Sequence, residues 1–228
     1  MVYYYLIPQW FFGLDISLKF LFAFITLIVS FFSYKIYRLS EHRETKLFSA
    51  SFFLIFLSFL SLALVNSIIL SGTKTAEEIT SFAIERNAFF LFLGLFIHMA
   101  FYIAGLITLV YTQFKIKNGK VYYIMLGLGL LVIFSAYNKV VTFNILSAFL
   151  LTFIIYNYIN EYVKSGNKKT IMVIIAFIFL LLSSANYSLA LEYYQAYLVG
   201  HILGLIAYTL IILNLITSIR KWQKNAPA

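Results

Sequence analysis

Cysteine is absent from this chain of 228 residues. That excludes disulfides, thiolate metal sites, a cysteine nucleophile and palmitoylation. Proline occurs only at Pro8 and Pro227, so no helix interior carries the residue that removes a backbone donor and kinks the chain. Helices broken by Pro or Gly are the usual sequence pointer to a transporter site, and here only glycine could supply such a break. Charge is scarce as well: 11% of residues are charged, against about 25% in a soluble domain. The N-terminal MVYYYLIPQWFFGLD lacks the basic n-region and small-residue cleavage site of a signal peptide, so it is expected to be retained. No Gly-rich phosphate loop and no HExxH pattern occurs.

What the chain has in excess is apolar surface. Hydrophobic residues make up 63% and mean hydropathy is +0.93, whereas a soluble domain is about 45–50% apolar. The apolar material runs through the whole length, which predicts a single membrane domain over 1–228. A bilayer core takes about 20 apolar residues per helix, with a range of roughly 17–25. Seven segments meet that test, at 16–36, 47–70, 88–113, 121–137, 141–158, 170–186 and 194–219. The expected fold is therefore all-α, a polytopic seven-transmembrane-helix bundle. No internal repeat stands out. The 71–87 segment, with Ile79, Phe82, Ala83 and Ile84 beside charges, could form a short amphipathic helix on the membrane surface.

The net charge of +9 is a topology signal, because lysine and arginine accumulate in cytoplasmic loops. Lys35, Arg38, Arg43, Lys46, Lys115, Lys117, Lys120, Lys164, Lys168, Lys169, Arg220, Lys221 and Lys224 fall on one side. Lys19, Lys74, Arg86 and Lys139 fall on the other. Thirteen of seventeen on one side puts the N-terminus outside and the C-terminus in the cytoplasm of a multi-pass protein of the cell membrane. No nucleic-acid partner is implied. The lipid bilayer is the expected environment, with attraction to anionic headgroups the simplest account of the basic loops. YRLSEHRETK and KWQK are also the surfaces best suited to a membrane or cytoplasmic protein partner.

Ionisable groups inside a span are costly and are functional candidates by default. Two histidines qualify, His98 in the third span and His201 in the seventh. At 1.5 Å per residue they lie about 15 Å and about 10 Å below the outer edge. Gly94, His98, Tyr102 and Gly105 form one helical stripe, and Tyr197, His201, Gly204 and Tyr208 another. Asn66 and Asn186 reach the same outer level. His42 lies in a loop, where a solvated side chain is the simplest reading. Asp15 and Lys19, four residues apart, can pair and read as an interfacial anchor.

Three readings of the histidine level stand side by side. Each imidazole is a satisfied core residue, with Gly200 and Gly204 as a small-residue packing face. Or the groups form an outward-opening pocket for a small ligand. Or His98 and His201 are ligands to a metal or to haem b. Three histidines with no embedded carboxylate argue against catalytic zinc. The seventh span has no lysine before its cytoplasmic end, so a retinal Schiff base is unavailable there. Embedded Ser58, Ser61, Ser183 and Ser184 have no His or Asp at fixed spacing and read as hydroxyls bonded to their own helix.

The P-x-W-F-F-G-x-D entry, Pro8, Trp10, Phe11, Phe12, Gly13 and Asp15, and the segment Tyr34, Lys35, Tyr37, Arg38, Leu39 and Ser40 carry a resemblance. Over its first sixty or so residues the chain resembles uncharacterised archaeal seven-helix membrane proteins. It is loosely similar to the seven-helix input domains of prokaryotic sensor kinases, but has no kinase or cyclase segment. The resemblance implies no catalytic residue, and any sensing would pass through a separate partner. The expected function is a non-enzymatic ligand-binding or sensory module, or a membrane subunit acting through partners. A haem or metal electron-transfer protein and a small-solute transporter are the alternatives.

Overall fold

The computed structural model describes residues 9–71, 82–116, 118–190 and 192–225. These form seven helices and no strand: α1 (Gln9–Ser40), α2 (Arg43–Ser71), α3 (Phe82–Gln113), α4 (Gly119–Ser135), α5 (Lys139–Ser165), α6 (Lys168–Leu189) and α7 (Tyr194–Asn225). Six are long and apolar enough to cross a bilayer, and the chain is a polytopic helical membrane protein. The exception is α4. Its 17 residues span about 25 Å at 1.5 Å each, less than the roughly 30 Å hydrocarbon core. Of the expected amphipathic segment over 71–87, residues 72–81 lie outside the described residues, and α3 begins at Phe82.

Asparagine marks the starts of three helices. Asn118, Asn138 and Asn167 precede α4, α5 and α6, and each side chain accepts a hydrogen bond from a first-turn backbone N–H. That supplies a partner for amide groups a helix start leaves open. Gly166 ends α5 with φ 62° and donates its N–H to Tyr162 O, the left-handed cap that glycine adopts without strain. The polar breaks in the sequence are thus helix ends with built-in partners.

In lipid the apolar faces gain nothing by leaving the solvent, so helices associate through close packing and hydrogen bonds between them. The outward surface accordingly carries Phe24, Phe31, Ile68, Phe89, Ile124 and Val163. The interior holds hydroxyls: Ser30 and Ser49 each donate to the other's backbone carbonyl, at 2.9 and 2.8 Å, across α1 and α2. Glycines allow the closest approaches. A Cβ on Gly105 would lie 2.7 Å from Ile55 Cγ1 and 2.9 Å from Ser51 O, so α2 and α3 meet backbone to backbone there.

Helix neighbours define a closed ring in the order α1, α2, α3, α5, α6, α7 and back to α1. Packing is extensive within α1–α2–α3 and within α5–α6–α7, and much thinner at the seams α1/α7 and α3/α5. α4 stands outside the ring, against α3 and α5, with Gly129 seated on Ile103 and Ile107. Whatever happens inside the ring is therefore built by six helices.

Candidate functional site

Asp15 is fully buried, nearly two turns inside α1. Three donors converge on its carboxylate. Lys19 makes an ion pair with it from the next turn of α1. From α7, His201 Nε2 lies 2.8 Å from Oδ1, and the Tyr197 hydroxyl donates to Oδ1 at 2.7 Å. The i, i+4 spacing of Tyr197 and His201 puts both side chains on the α7 face that meets α1. The other ring nitrogen of His201, Nδ1, is 3.1 Å from the Tyr197 carbonyl. Carboxylate and carbonyl oxygens only accept, so the arrangement is fully hydrogen-bonded when His201 carries both ring protons. A buried carboxylate without such partners would be strongly unfavourable. The sequence reading of Asp15 and Lys19 as an interfacial anchor is thus revised: they are the embedded charged pair that answers His201.

His98 is satisfied differently. Its Nδ1 lies 2.7 Å from Ser58 Oγ and 3.1 Å from Ser58 O on α2, and Ser58 Oγ donates to His98 O at 3.0 Å. The single hydroxyl proton goes to the His98 carbonyl, so Nδ1 is the donor toward Ser58. In the neutral imidazole, the form that burial favours, this leaves the lone pair on Nε2, and Nε2 has no hydrogen-bond partner among the described residues. Ser58 therefore orients His98 rather than merely bonding to its own helix.

Both imidazoles line one space. A cavity of about 120 Å³ is bordered by Lys19 and Phe22 of α1, Phe59, Leu62 and Asn66 of α2, Leu95, His98 and Met99 of α3, Val140, Phe143 and Asn144 of α5, Tyr187 of α6, and Tyr197 and His201 of α7. A smaller extension of about 70 Å³ adds Tyr102, Leu180, Ser183, Ser184, Gly204 and Tyr208. Two phenylalanines stand between the histidines. Phe22 stacks on His201 at 6.5 Å, Phe59 meets His98 at 5.7 Å, and the two phenyl rings are 5.4 Å apart. Of the sequence candidates, His98, Tyr102, Tyr197, His201, Tyr208 and Asn66 are brought together. Asn186 is not: its Nδ2 donates to Leu182 O at 2.8 Å, and its neighbour Tyr187 takes the place at the cavity. Gly200 packs against that same Tyr187 ring, as the small-residue reading expects, whereas Gly204 has room for a Cβ.

No family model, characterised protein or solved structure matches this chain. What the site can do rests on its own geometry.

Haem or metal ligation by His98 and His201 together does not fit that geometry. Asp15 and the Tyr197 carbonyl occupy both His201 nitrogens, leaving none for iron. The cavity is also well under the roughly 300–1,000 Å³ of drug-sized ligand pockets. No group of three or more His, Asp or Glu that could hold a metal occurs among the described residues. Sequence reasoning gave Asp15, Lys19 and Ser58 other roles and did not single out Asn144, Tyr187 or the phenylalanine walls. A signal for the first two existed: a charged pair at helical spacing within an apolar run is costly unless a third group shares it.

Proposed function

We propose that this chain is a membrane-embedded binding module for a small, largely apolar molecule carrying one N–H or O–H donor. The observation that carries the reading is His98 Nε2, which has no hydrogen-bond partner among the described residues, at the wall of a cavity otherwise lined mainly by aromatic and aliphatic side chains. An engineered apolar cavity of about 150 Å³ accepts benzene, so a single substituted ring is the right size. The donor would replace the hydrogen bond His98 lacks, and the aromatic walls would hold the rest.

Every ring helix contributes to the wall, so an occupant alters packing all round the ring. This is how binding would be signalled. With basic residues concentrated on one side, the cavity lies toward the outer face and the C-terminus in the cytoplasm. The basic cytoplasmic loops, Arg43 and Lys46 among them, are then the surface on which a partner would read the change.

Thermal unfolding in detergent tests the binding reading with two probes of equal bulk, phenol and toluene. Phenol is expected to raise the melting temperature saturably and more than toluene, and His98→Phe to abolish the difference. Equal shifts from both probes in the native protein would remove the donor recognition claim.

A further inference from the structure

The ring holds a second space at the end opposite His98, open to the surface where exposed Glu44, Glu161 and Lys164 line it. It measures about 550 Å³ and is lined from all six ring helices, with Ser33, Glu44, Gln113, Asn157, Glu161 and Asn214 giving it polar walls. α4 borders neither space. The two come close along α6 and α7. On α7 Tyr208 borders the His98 space and Ile211 the opposite one, and on α6 Leu180 and Phe177 do the same. Three residues of helix, about 4.5 Å at 1.5 Å each, separate them.

The two halves of the ring also share a packing pattern, which the sequence conceals. α1–α2–α3 and α5–α6–α7 have the same pattern of neighbours, and the thin seams α1/α7 and α3/α5 correspond. Details correspond too. Ser58 of α2 donates to His98 O of α3 at 3.0 Å, and Ser183 of α6 donates to Gly200 O of α7 at 2.8 Å. Phe22 of α1 lies against His201 of α7, and Phe143 of α5 against His98 of α3. α1 and α5 both run away from the His98 end, so the triplets are parallel. Three helices finish at the end opposite their start, so a parallel second triplet needs the chain carried back between Gln113 and Lys139, and α4, shorter than the ring helices, lies on that return. That accounts for α4, which lines nothing. Parallel repeats about an axis along the membrane normal, with the site between them, are one of the two plans on which transporters are built.

From this we propose, resting on the ligand reading above, that the ring interior is a transport path for a small apolar molecule with an N–H or O–H donor. The two triplets rock against each other at the thin seams and open the path to one face at a time. The seams are fastened at opposite ends. Asp15 ties α1 to His201 and Tyr197 of α7 near the His98 face. Gln113 of α3 donates to the Tyr158 hydroxyl of α5 at 2.7 Å near the other. Undoing one fastening parts one end.

The native lack of cysteine makes the test direct. Ala207 lies one turn from Gly204 and one from Ile211, and Ala176 one turn from Leu180 and one from Val173. Both are fully buried, at the barrier between the two spaces. Ala207→Cys and Ala176→Cys are placed singly in the full chain in oriented vesicles and exposed to a charged, membrane-impermeant methanethiosulfonate on one side or the other. Val140→Cys and Asn214→Cys mark the two spaces. Modification of a barrier cysteine from both faces, each treatment protecting against the other, is expected, with Asp15→Asn speeding modification from the His98 face severalfold. Modification from one face only, or from neither, overturns the path, even where phenol stabilises the protein. Two-sided modification without a phenol effect would keep the path and discard the ligand.

Discussion

At the scale of single residues, the two histidines have different work. His201 is held by Asp15 and the Tyr197 carbonyl, and in return it hydrogen-bonds a carboxylate with no access to solvent. Removing one partner of a buried charged set strands the others, at about 3–5 kcal/mol. Asp15→Ala is therefore expected to destabilise the protein by that order, measured by thermal or chemical unfolding in detergent. Because they touch, Asp15→Ala and His201→Ala should be non-additive by about 0.5–3 kcal/mol. His98→Ala and His201→Ala have two phenyl rings between them and should add, within roughly 0.5 kcal/mol, as long as the cavity holds no ligand. Non-additivity of that pair appearing only with phenol present would mark a shared occupant, and its absence would mean that the two imidazoles act separately.

Helix elements are fitted to one another mainly through glycine. At Gly105 the atom a Cβ would meet at 2.9 Å is the Ser51 carbonyl, which cannot swing away as a side chain can. Gly105→Ala should cost about 1–3 kcal/mol through forced separation of α2 and α3. Gly127, with nothing within 4 Å of a Cβ, is the control, and Gly127→Ala should be neutral or stabilising by up to about 1 kcal/mol. Equal melting temperatures for the two variants would show that α2 and α3 are not in backbone contact. Helix positions were legible in the sequence because an apolar run long enough to cross a bilayer is a one-dimensional signal. Their partners were not. Asp15 and Tyr197 lie 182 residues apart, and no local pattern links them. Nor did periodicity tell Asn66, which borders the cavity, from Asn186, which bonds to its own helix.

For the molecule as a whole, composition alone specified a membrane-embedded helical bundle, and the described residues fold into six helices long and apolar enough to span, where seven spans were expected, and one shorter. The order of helices around the ring and the matching neighbour pattern of its halves were invisible, because they lie in packing and hydrogen-bond placement, not in residue identity. Orientation is open to separate measurement. Lys115→Cys should react with an impermeant maleimide only after cells are opened, and reaction on intact cells would invert the arrangement. The proposed role of His98 is to offer an acceptor to a donor-bearing guest. The most direct test is ¹⁹F NMR titration of the purified protein with 4-fluorophenol and, separately, 4-fluorotoluene. A saturable bound resonance is expected for 4-fluorophenol, weakened about tenfold or more in His98→Phe, the loss of roughly 1.4 kcal/mol. Equal affinity for both probes, or a bound signal untouched by His98→Phe, would contradict it.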